Sequence, residues 1–250
     1  MSQNGFTMHL FGGFELRRRG VLLNLPHSVQ RLLSLVALNE RSLLRRYVAD
    51  TLWPDAEEER AQANLRTTLW RLHAQQWDLL DVSAIDLALI PAVWVDVRAL
   101  HDAAREHRRT GQLPDPESLL HSRGELLPGC WDSWLVFDRE RLRQEAVHLL
   151  EAASKACLGC GDTHLATMLA LGAVECDPLR ESANVLLVKT HLAAGHTAGA
   201  LRHAHHYVGQ LENELGIAPP TILEDLLRQH RPSLERLRAE SVRTVAAVAG

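Results

Sequence analysis

The chain has 250 residues, 46% of them hydrophobic and 23% charged, and its formal net charge is −4. This balance is typical of a globular protein and excludes wholesale disorder, and the length allows two domains. The 4 cysteines are too few for a disulfide framework in a chain of this size. No segment approaches about eighteen uninterrupted apolar residues, so we expect a cytoplasmic protein that makes no membrane contact.

The first 25 residues are expected to form a small β-sheet. Three short apolar stretches predict strands at Met8 to Phe11, Phe14 to Leu16 and Val21 to Leu23. Gly12-Gly13 and the polar run from Arg17 to Gly20 separate these stretches and predict turns. The three arginines of the second turn are interpreted as solvated.

Two helices are predicted next. The first starts at Pro26 and ends near Asn39, because its apolar residues recur at helical spacing and form one broad face. That face is formed by Val29, Leu32, Leu33, Val36 and Leu38. A shorter helix is expected from about Arg45 to Leu52.

Residues 52–73 contain a helix stop followed by a helix start. Pro54 cannot continue the preceding helix, and Asp55 followed by Glu58 has the spacing of a capping box. A new helix is therefore predicted to begin at about Ala56. Its apolar stripe should face the core and consists of Ala61, Leu65, Leu69 with Thr68, and Leu72.

The other sides of this helix are basic and polar, since no acidic residue occurs from Arg60 to Trp77. Arginine binds phosphates, and arginine and asparagine are common readers of base edges in the major groove. The side chains concerned are Arg60, Asn64, Arg66, Thr67, Trp70 and Arg71. We interpret the helix as a DNA-recognition helix.

Three consecutive stretches in this region resemble a known family. They are Leu52-Trp53-Pro54-Asp55, Arg60 to Thr67, and Leu69-Trp70-Arg71-Leu72. Together they resemble the winged-helix segment of the antibiotic-regulatory-protein (SARP) family. The resemblance implies a mostly α fold with a small β component: an OmpR-type winged helix-turn-helix at residues 1–97 and a bacterial transcriptional activator domain of tetratricopeptide-like helices at residues 98–250.

The resemblance also implies the function of a sequence-specific, DNA-binding transcriptional regulator, an activator rather than an enzyme. The expected partners are promoter DNA with direct repeats, RNA polymerase and a second copy in a homodimer, with no cofactor. The expected DNA contacts are Asn64, Thr67 and Arg71 to bases, Arg60, Arg66, Arg45 and Arg46 to phosphates, and His73 at the end of the helix. No ATPase, forkhead-associated or receiver module is expected, so regulation would come through abundance, a ligand or a partner.

The sequence departs from the family pattern in three places. The family usually has a serine N-cap before the second helix, where this chain has Leu44, and Ser42 is the candidate substitute. His73 stands where the family continues with arginine. Residues 79–82 and 85–89 are expected to form a wing hairpin with residues 93–97 as a return strand, and no lysine or arginine occurs between Arg71 and Arg98. We therefore expect an uncharged wing that contributes little to phosphate binding.

The second half is predicted to contain one helix from Val97 to about Arg109, a Gly- and Pro-rich connection, and then a helical array. The array should comprise helices at residues 135–158, 162–176, 179–194, 197–215 and 220–229, followed by a frayed tail from Val242. Gly161, Ala166 and Ala170 recur after 34 residues as Gly195, Ala200 and Ala204, which is the tetratricopeptide period. Trp131 and Trp134 are expected to be packing anchors.

Two other interpretations stay open. Cys157 and Cys160 with His164 and Cys176 could form a metal site, but the second ligand pair is missing and inert thiols are favoured. His203, His205 and His206 are interpreted as a surface cluster.

The alternative to a DNA-binding regulator is a helical-repeat interaction scaffold whose degenerate winged helix no longer binds DNA.

Overall fold

The computed structural model describes residues 5–218, 220–226 and 228–229. These residues form two compact units. The first holds the described residues up to Gln112 together with Gly124–Glu145, and the second holds Leu113–Arg123 and the described residues from Ala146 onward. The predicted class, mostly α with a small β component, is confirmed.

The first unit alternates short strands with helices. Its strands are β1 Phe6–His9, β2 Glu15–Arg18, β3 Val21–Leu23, β4 Leu43–Leu44, β5 Leu80–Val82, β6 Asp86–Leu89 and β7 Val93–Val95. Its complete helices are α1 His27–Ala37, α2 Arg45–Leu52, α3 Glu58–His73 and α4 Asp96–Thr110.

The N-terminal sheet has four strands in the order β3-β2-β1-β7. Strand β1 pairs antiparallel with β2 and parallel with β7, so that Met8 lies between Leu16 and Val95. The prediction that residues 93–97 return along the wing was therefore wrong: β7 joins the N-terminal sheet, and α4 begins at Asp96. The prediction of a turn from Arg17 to Gly20 was also wrong in part, because Arg17 and Arg18 lie in β2.

The second sheet is the wing, with strands in the order β4-β6-β5. Strands β5 and β6 form the predicted hairpin, in which Val82 pairs with Leu87. Strand β4 adds the residues just before α2, and Leu44 pairs with Asp86. Ser42 does not cap α2, because the cap residue is Leu44 and no side chain bonds to the helix start. Pairing with the wing holds this end of α2 instead, and the Arg45 amide donates to the carbonyl of Ile85 at 2.9 Å.

Two half-buried arginine side chains anchor α1. The side chain of Arg98 donates to the carbonyls of Val36, Ala37 and Asn39, which lie at and just after the C-terminal end of α1. The side chain of Arg31 donates to the carbonyl of Leu52 at 3.0 Å and forms an ion pair with Asp132. The middle and the C-terminal end of the helix that supports α3 are therefore held by side-chain contacts.

The start of α4 is tied to β1 by a buried carboxylate. Asp96 is 3% exposed, and its Oδ2 accepts the backbone amides of Leu10 and Phe11 at 2.8 and 3.1 Å. Burial raises the pKa of this carboxyl, and the three backbone amides that it accepts oppose the rise. Asp96 therefore directly follows β7, begins α4 and fixes both against the end of β1.

The second unit is helical. It contains α5 Pro116–Leu119, a 3₁₀ turn at Leu120–Ser122, α7 Thr163–Cys176, α8 Glu181–Ala193, α9 Thr197–Gln210 and a π-helical turn at Leu211–Leu215. Helix α6, Leu135–Gly159, begins within the residues of the first unit and ends within those of the second. The helices predicted for the array are present with shifted bounds, and α5 lies in the stretch that was expected to be only a connection.

The 34-residue repeat has the expected structural basis. Ala166 and Ala170 of α7 and Ala200 and Ala204 of α9 are at most 1% exposed, so neighbouring helices pack closely against them. The repeated glycines at 161 and 195 have φ of +84° and +75°, a left-handed conformation that favours glycine between helices. Residues 221–226 and 228–229 are also helical, whereas the tail predicted from Val242 lies outside the described residues.

The prediction that Trp131 is a packing anchor was wrong. Its side chain is 87% exposed, and Val136 and Phe137 nearby are 58% and 86% exposed. Trp134 is half-buried, and its indole nitrogen has no hydrogen-bond partner within the described part of the chain.

Candidate nucleic-acid interface

Helix α3 begins two residues later than predicted. Glu57 is its cap residue, and no side chain bonds to the helix start, so the capping box expected from Asp55 and Glu58 does not form. Residues 54–56 form a turn in which the Ala56 amide donates to the carbonyl of Trp53. Glu58 and Glu59 still lie in the first turn, where the helix dipole favours negative charge.

Most of the predicted apolar stripe faces the core of the first unit, but Leu69 is only half-buried. Ala61, Leu65 and Leu72 are at most 3% exposed, and α3 contacts both α1 and α2. Thr68 is also buried, and its hydroxyl donates to the carbonyl of Asn64 at 2.9 Å. Burial of each leucine contributes roughly 1.5–3 kcal/mol. The stripe therefore sets which side of α3 faces outward.

The outward side of α3 carries the predicted cations. Arg60, Arg66, Arg71 and His73 are exposed, and Asn64 is half-buried. Within the described part of the chain neither Arg60 nor Arg66 forms an ion pair. Both guanidinium groups are therefore available to an anionic partner.

Two of the predicted base-reading side chains make contacts within the protein. The Thr67 hydroxyl donates to the carbonyl of Ala63 at 3.0 Å, which leaves its lone pairs as acceptors. The Arg71 guanidinium donates to the Ser28 hydroxyl of α1 at 3.4 Å, a long hydrogen bond at an exposed position. Neither contact buries the side chain.

The two arginines of α2 differ in their surroundings. Nη1 of Arg45 donates to the carbonyl of Ser83 in the wing turn at 3.2 Å. This places a cation at the wing, which has none of its own. Arg46 instead pairs with Glu58 of α3 at 3.1 Å and lies 3.9 Å from Asp50.

The wing is acidic rather than uncharged. Asp78, Asp81 and Asp86 lie in or beside the hairpin, and no lysine or arginine occurs there. The Asp86 carboxylate accepts a short hydrogen bond from the Ser83 hydroxyl, and hydrogen bonds from Ser83 and Ser42 lower its pKa. It therefore stays ionised. These aspartates are visible in the sequence, but the expectation of an uncharged wing rested only on the absence of lysine and arginine.

The structure brings three of the predicted residues to one cleft. Arg45, Arg66 and His73 line a cavity of about 370 Å³ together with residues of the wing. Arg60, Asn64, Thr67 and Arg71 lie elsewhere on α3 and do not line it.

The cysteine and histidine groups have other surroundings. Cys157 is 9% exposed, and burial raises the pKa of its thiol. Within the described residues no three metal-binding side chains cluster. His203 is not a surface residue as predicted: it is half-buried, its Nε2 lies 2.9 Å from Oδ1 of Asn184, and burial lowers its pKa to about 4.

Fold and site together define a winged helix joined to tetratricopeptide-like helices, an architecture of transcription regulators. The sequence model of the bacterial transcriptional activator domain matches residues 95–231, more than half of the chain. The chain therefore belongs to the family of proteins that carry this domain, and the predicted SARP-type resemblance is confirmed.

One solved structure shows the same fold over nearly the whole chain. It is Mycobacterium tuberculosis EmbR in complex with a low affinity phosphopeptide, with a TM-score of 0.59 and 18% sequence identity, and the match covers 97% of this chain and 71% of that one. At this identity the likeness concerns the fold alone. No curated protein matches the chain. None of the helices in the described ranges is both long and apolar enough to span a membrane.

Proposed function

We propose that the chain is a sequence-specific, DNA-binding transcriptional activator that inserts α3 into the major groove. The observation that carries this proposal is the outward face of α3, which has no acidic residue from Arg60 onward and presents Arg60 and Arg66 without ion pairs among the described residues. In a helix-turn-helix, the second helix reads base edges while the first crosses the backbone. Helices α2 and α3 are consecutive and pack against each other, which supports assigning them these two roles.

The roles follow from position on α3 and α2. Asn64, Thr67 and Arg71 contact bases, since their side chains carry the donors and acceptors that base edges match. Phosphates are bound by a second set, which comprises Arg45, Arg46, Arg60 and Arg66, with His73 at the end of the helix. To bind a phosphate, Arg46 must first break its ion pair with Glu58.

The remaining helices serve activation. Membership of the activator-domain family supports contact with the transcription machinery, and we propose RNA polymerase as the partner, with pairs of chains bound head to tail on direct repeats. The proposed division places the DNA-binding domain at residues 1–97 and the activator domain at residues 98–250.

One set of observations favours a second function, that of a helical-repeat scaffold whose winged helix no longer binds DNA. Asp78, Asp81 and Asp86 give the wing a negative charge that repels phosphates, and Arg46 is already paired with Glu58. On this alternative the exposed arginines of α3 serve only solubility.

The salt dependence of duplex binding separates the two functions. If about four phosphates are neutralised, affinity for a 30-base-pair duplex should fall about a hundredfold between about 50 and about 200 mM salt. In a plot of log affinity against log salt concentration, an Arg66→Gln/Arg71→Gln variant should have a slope smaller in magnitude by about one to two. Fluorescence anisotropy measures both.

The matched control is Arg105→Gln/Arg109→Gln, which removes two exposed arginines of α4 that pair with neighbouring acids. It should keep the wild-type slope. No measurable binding at low salt would support the scaffold, and equal slopes in all three proteins would mean that Arg66 and Arg71 do not contact DNA.

A further inference from the structure

A cleft in the first unit lies between α3 and the wing strand β5. Its volume is about 370 Å³, within the range of small-molecule sites, which is roughly 300–1,000 Å³. Six of its ten lining side chains are apolar or aromatic. The cleft is therefore much less polar than the outward face of α3 beside it.

One wall of the cleft is a single face of α3. Arg66, Trp70 and His73 follow one another at spacings of four and three residues, so they lie in one row along the helix. Trp70 is 70% exposed, although tryptophan is costly to leave in water. An exposed aromatic side chain beside other apolar groups marks a binding surface.

The facing wall comes from the wing. Leu80 and Val82 of β5 are two residues apart and so point to the same side of the strand. The preceding loop adds Trp77, which is half-buried. Together with Trp70 it gives the cleft two indole rings, which are surfaces for packing another aromatic ring.

The polar groups of the cleft favour an anion. Arg66 has no ion pair within the described residues, and the guanidinium of Arg45 donates only to the carbonyl of Ser83 there. Asp78 is the single carboxylate among the lining residues, against these two guanidinium groups. An exposed guanidinium binds a carboxylate through two parallel hydrogen bonds.

A DNA backbone does not match this combination. Phosphates are bound by cations and by N–H donors, and they offer nothing to two indoles and an aliphatic wall. We propose that the cleft binds a small aromatic carboxylic acid of one or two fused rings, with the ring between the α3 and β5 walls and the carboxylate on Arg66. The consequence for regulation rests on the proposed function: the bound acid occupies Arg66 and Trp70 on the DNA-facing helix and so lowers DNA affinity.

Calorimetric titration of the full chain with 1-naphthoate tests the site. Neutral 1-naphthalenemethanol is the matched ligand without charge, and it should bind at least about fivefold more weakly. Arg66→Gln should weaken naphthoate binding by a similar factor and bring the two ligands level, and Trp70→Ala should weaken both ligands. Both substituted residues are exposed, so the fold should persist.

The control variant is Arg105→Gln, an exposed arginine of α4 outside the cleft, which should bind naphthoate as the wild type does. The site is refuted if naphthoate does not bind at millimolar concentration, or if it binds Arg66→Gln as tightly as the wild type.

Duplex binding, measured with and without naphthoate, keeps the two proposals apart. If the protein binds the duplex and naphthoate, and naphthoate reduces its affinity for the duplex, the result supports the site and its regulatory role. Duplex binding that naphthoate leaves unchanged overturns the regulatory role. Naphthoate binding without any duplex binding at low salt would refute the proposed function and leave the site standing.

Discussion

At the residue scale, one of the arginines proposed to bind phosphate already has an ion-pair partner within the protein. Arg46 pairs with Glu58, and both side chains are more than half exposed. Such a pair contributes about 0–1 kcal/mol, so a phosphate can displace the carboxylate. On the proposed function, the acidic first turn of α3 therefore lowers DNA affinity and also stabilises the helix start.

Replacement of Glu58 by glutamine should strengthen DNA binding. The change removes a negative charge beside the proposed phosphate contacts and releases Arg46, so duplex affinity at low salt should rise about three- to tenfold. Fluorescence anisotropy at about 50 mM salt measures the change.

Two further variants identify the cause. Glu106→Gln, an exposed acid of α4, should leave affinity as it is. The double variant Arg46→Gln/Glu58→Gln should return affinity to near the wild-type value. If Glu58→Gln binds no more tightly than the wild type, Arg46 does not contact phosphate.

At the element scale, local patterns predicted the helices well. The faces of α1 and α3 follow from the spacing of apolar residues, and Val29, Leu32 and Leu65 are fully buried as expected. The small residues of the repeat are likewise buried. Periodicity within one segment is enough for such predictions, because helical hydrogen bonds are local.

Other features depend on contacts that are distant in sequence. Strand β7 pairs with β1, more than 80 residues earlier, and nothing in residues 93–95 identifies that partner. The capping box failed because the turn after Pro54 moves the helix start to Glu58. The cleft required the wing to lie beside α3, which no single segment encodes.

The contact between α8 and α9 includes a histidine that disfavours protonation. His203 donates to Oδ1 of Asn184, whose amide nitrogen donates to the carbonyls of Pro178 and Arg180. Burial first, and then the nearby His191 and His206, lower the pKa of His203 to about 4 from 6.5. The neutral imidazole therefore links two elements of the repeat.

This linkage predicts a pH dependence of stability. Because the folded-state pKa lies below the unfolded value, the unfolded chain binds the proton more readily. Stability should be fully present above the unfolded pKa of about 6.5 and should fall as pH drops toward about 4. Urea unfolding of the full chain at pH 7.5 and at pH 5 measures this loss.

A His203→Gln variant should lose less stability between those two pH values, since glutamine can donate to Asn184 and does not titrate. His205→Gln, at an exposed position of α9, should show the wild-type loss. If His203→Gln loses as much stability as the wild type, the interaction with Asn184 does not control the effect.

At the scale of the whole molecule, net charge gives little indication of DNA binding. The formal charge is −4, and the wing carries three aspartates. On the proposed function, the positive charge that binds DNA is instead concentrated on α3, where Arg60, Arg66 and Arg71 are exposed. A repulsive wing beside an attractive helix should reduce non-specific binding, so a larger share of affinity must come from base contacts.

Genome-wide occupancy of the tagged protein in its own host tests the central claim most directly. The wild type should give discrete peaks that contain a spaced direct repeat, and an Asn64→Ala/Arg71→Ala variant should lose them. Arg105→Ala/Gln112→Ala, a matched pair at exposed positions outside α3, should keep them. Background signal from the wild type, or the same peaks from the Asn64→Ala/Arg71→Ala variant, would contradict DNA reading by α3.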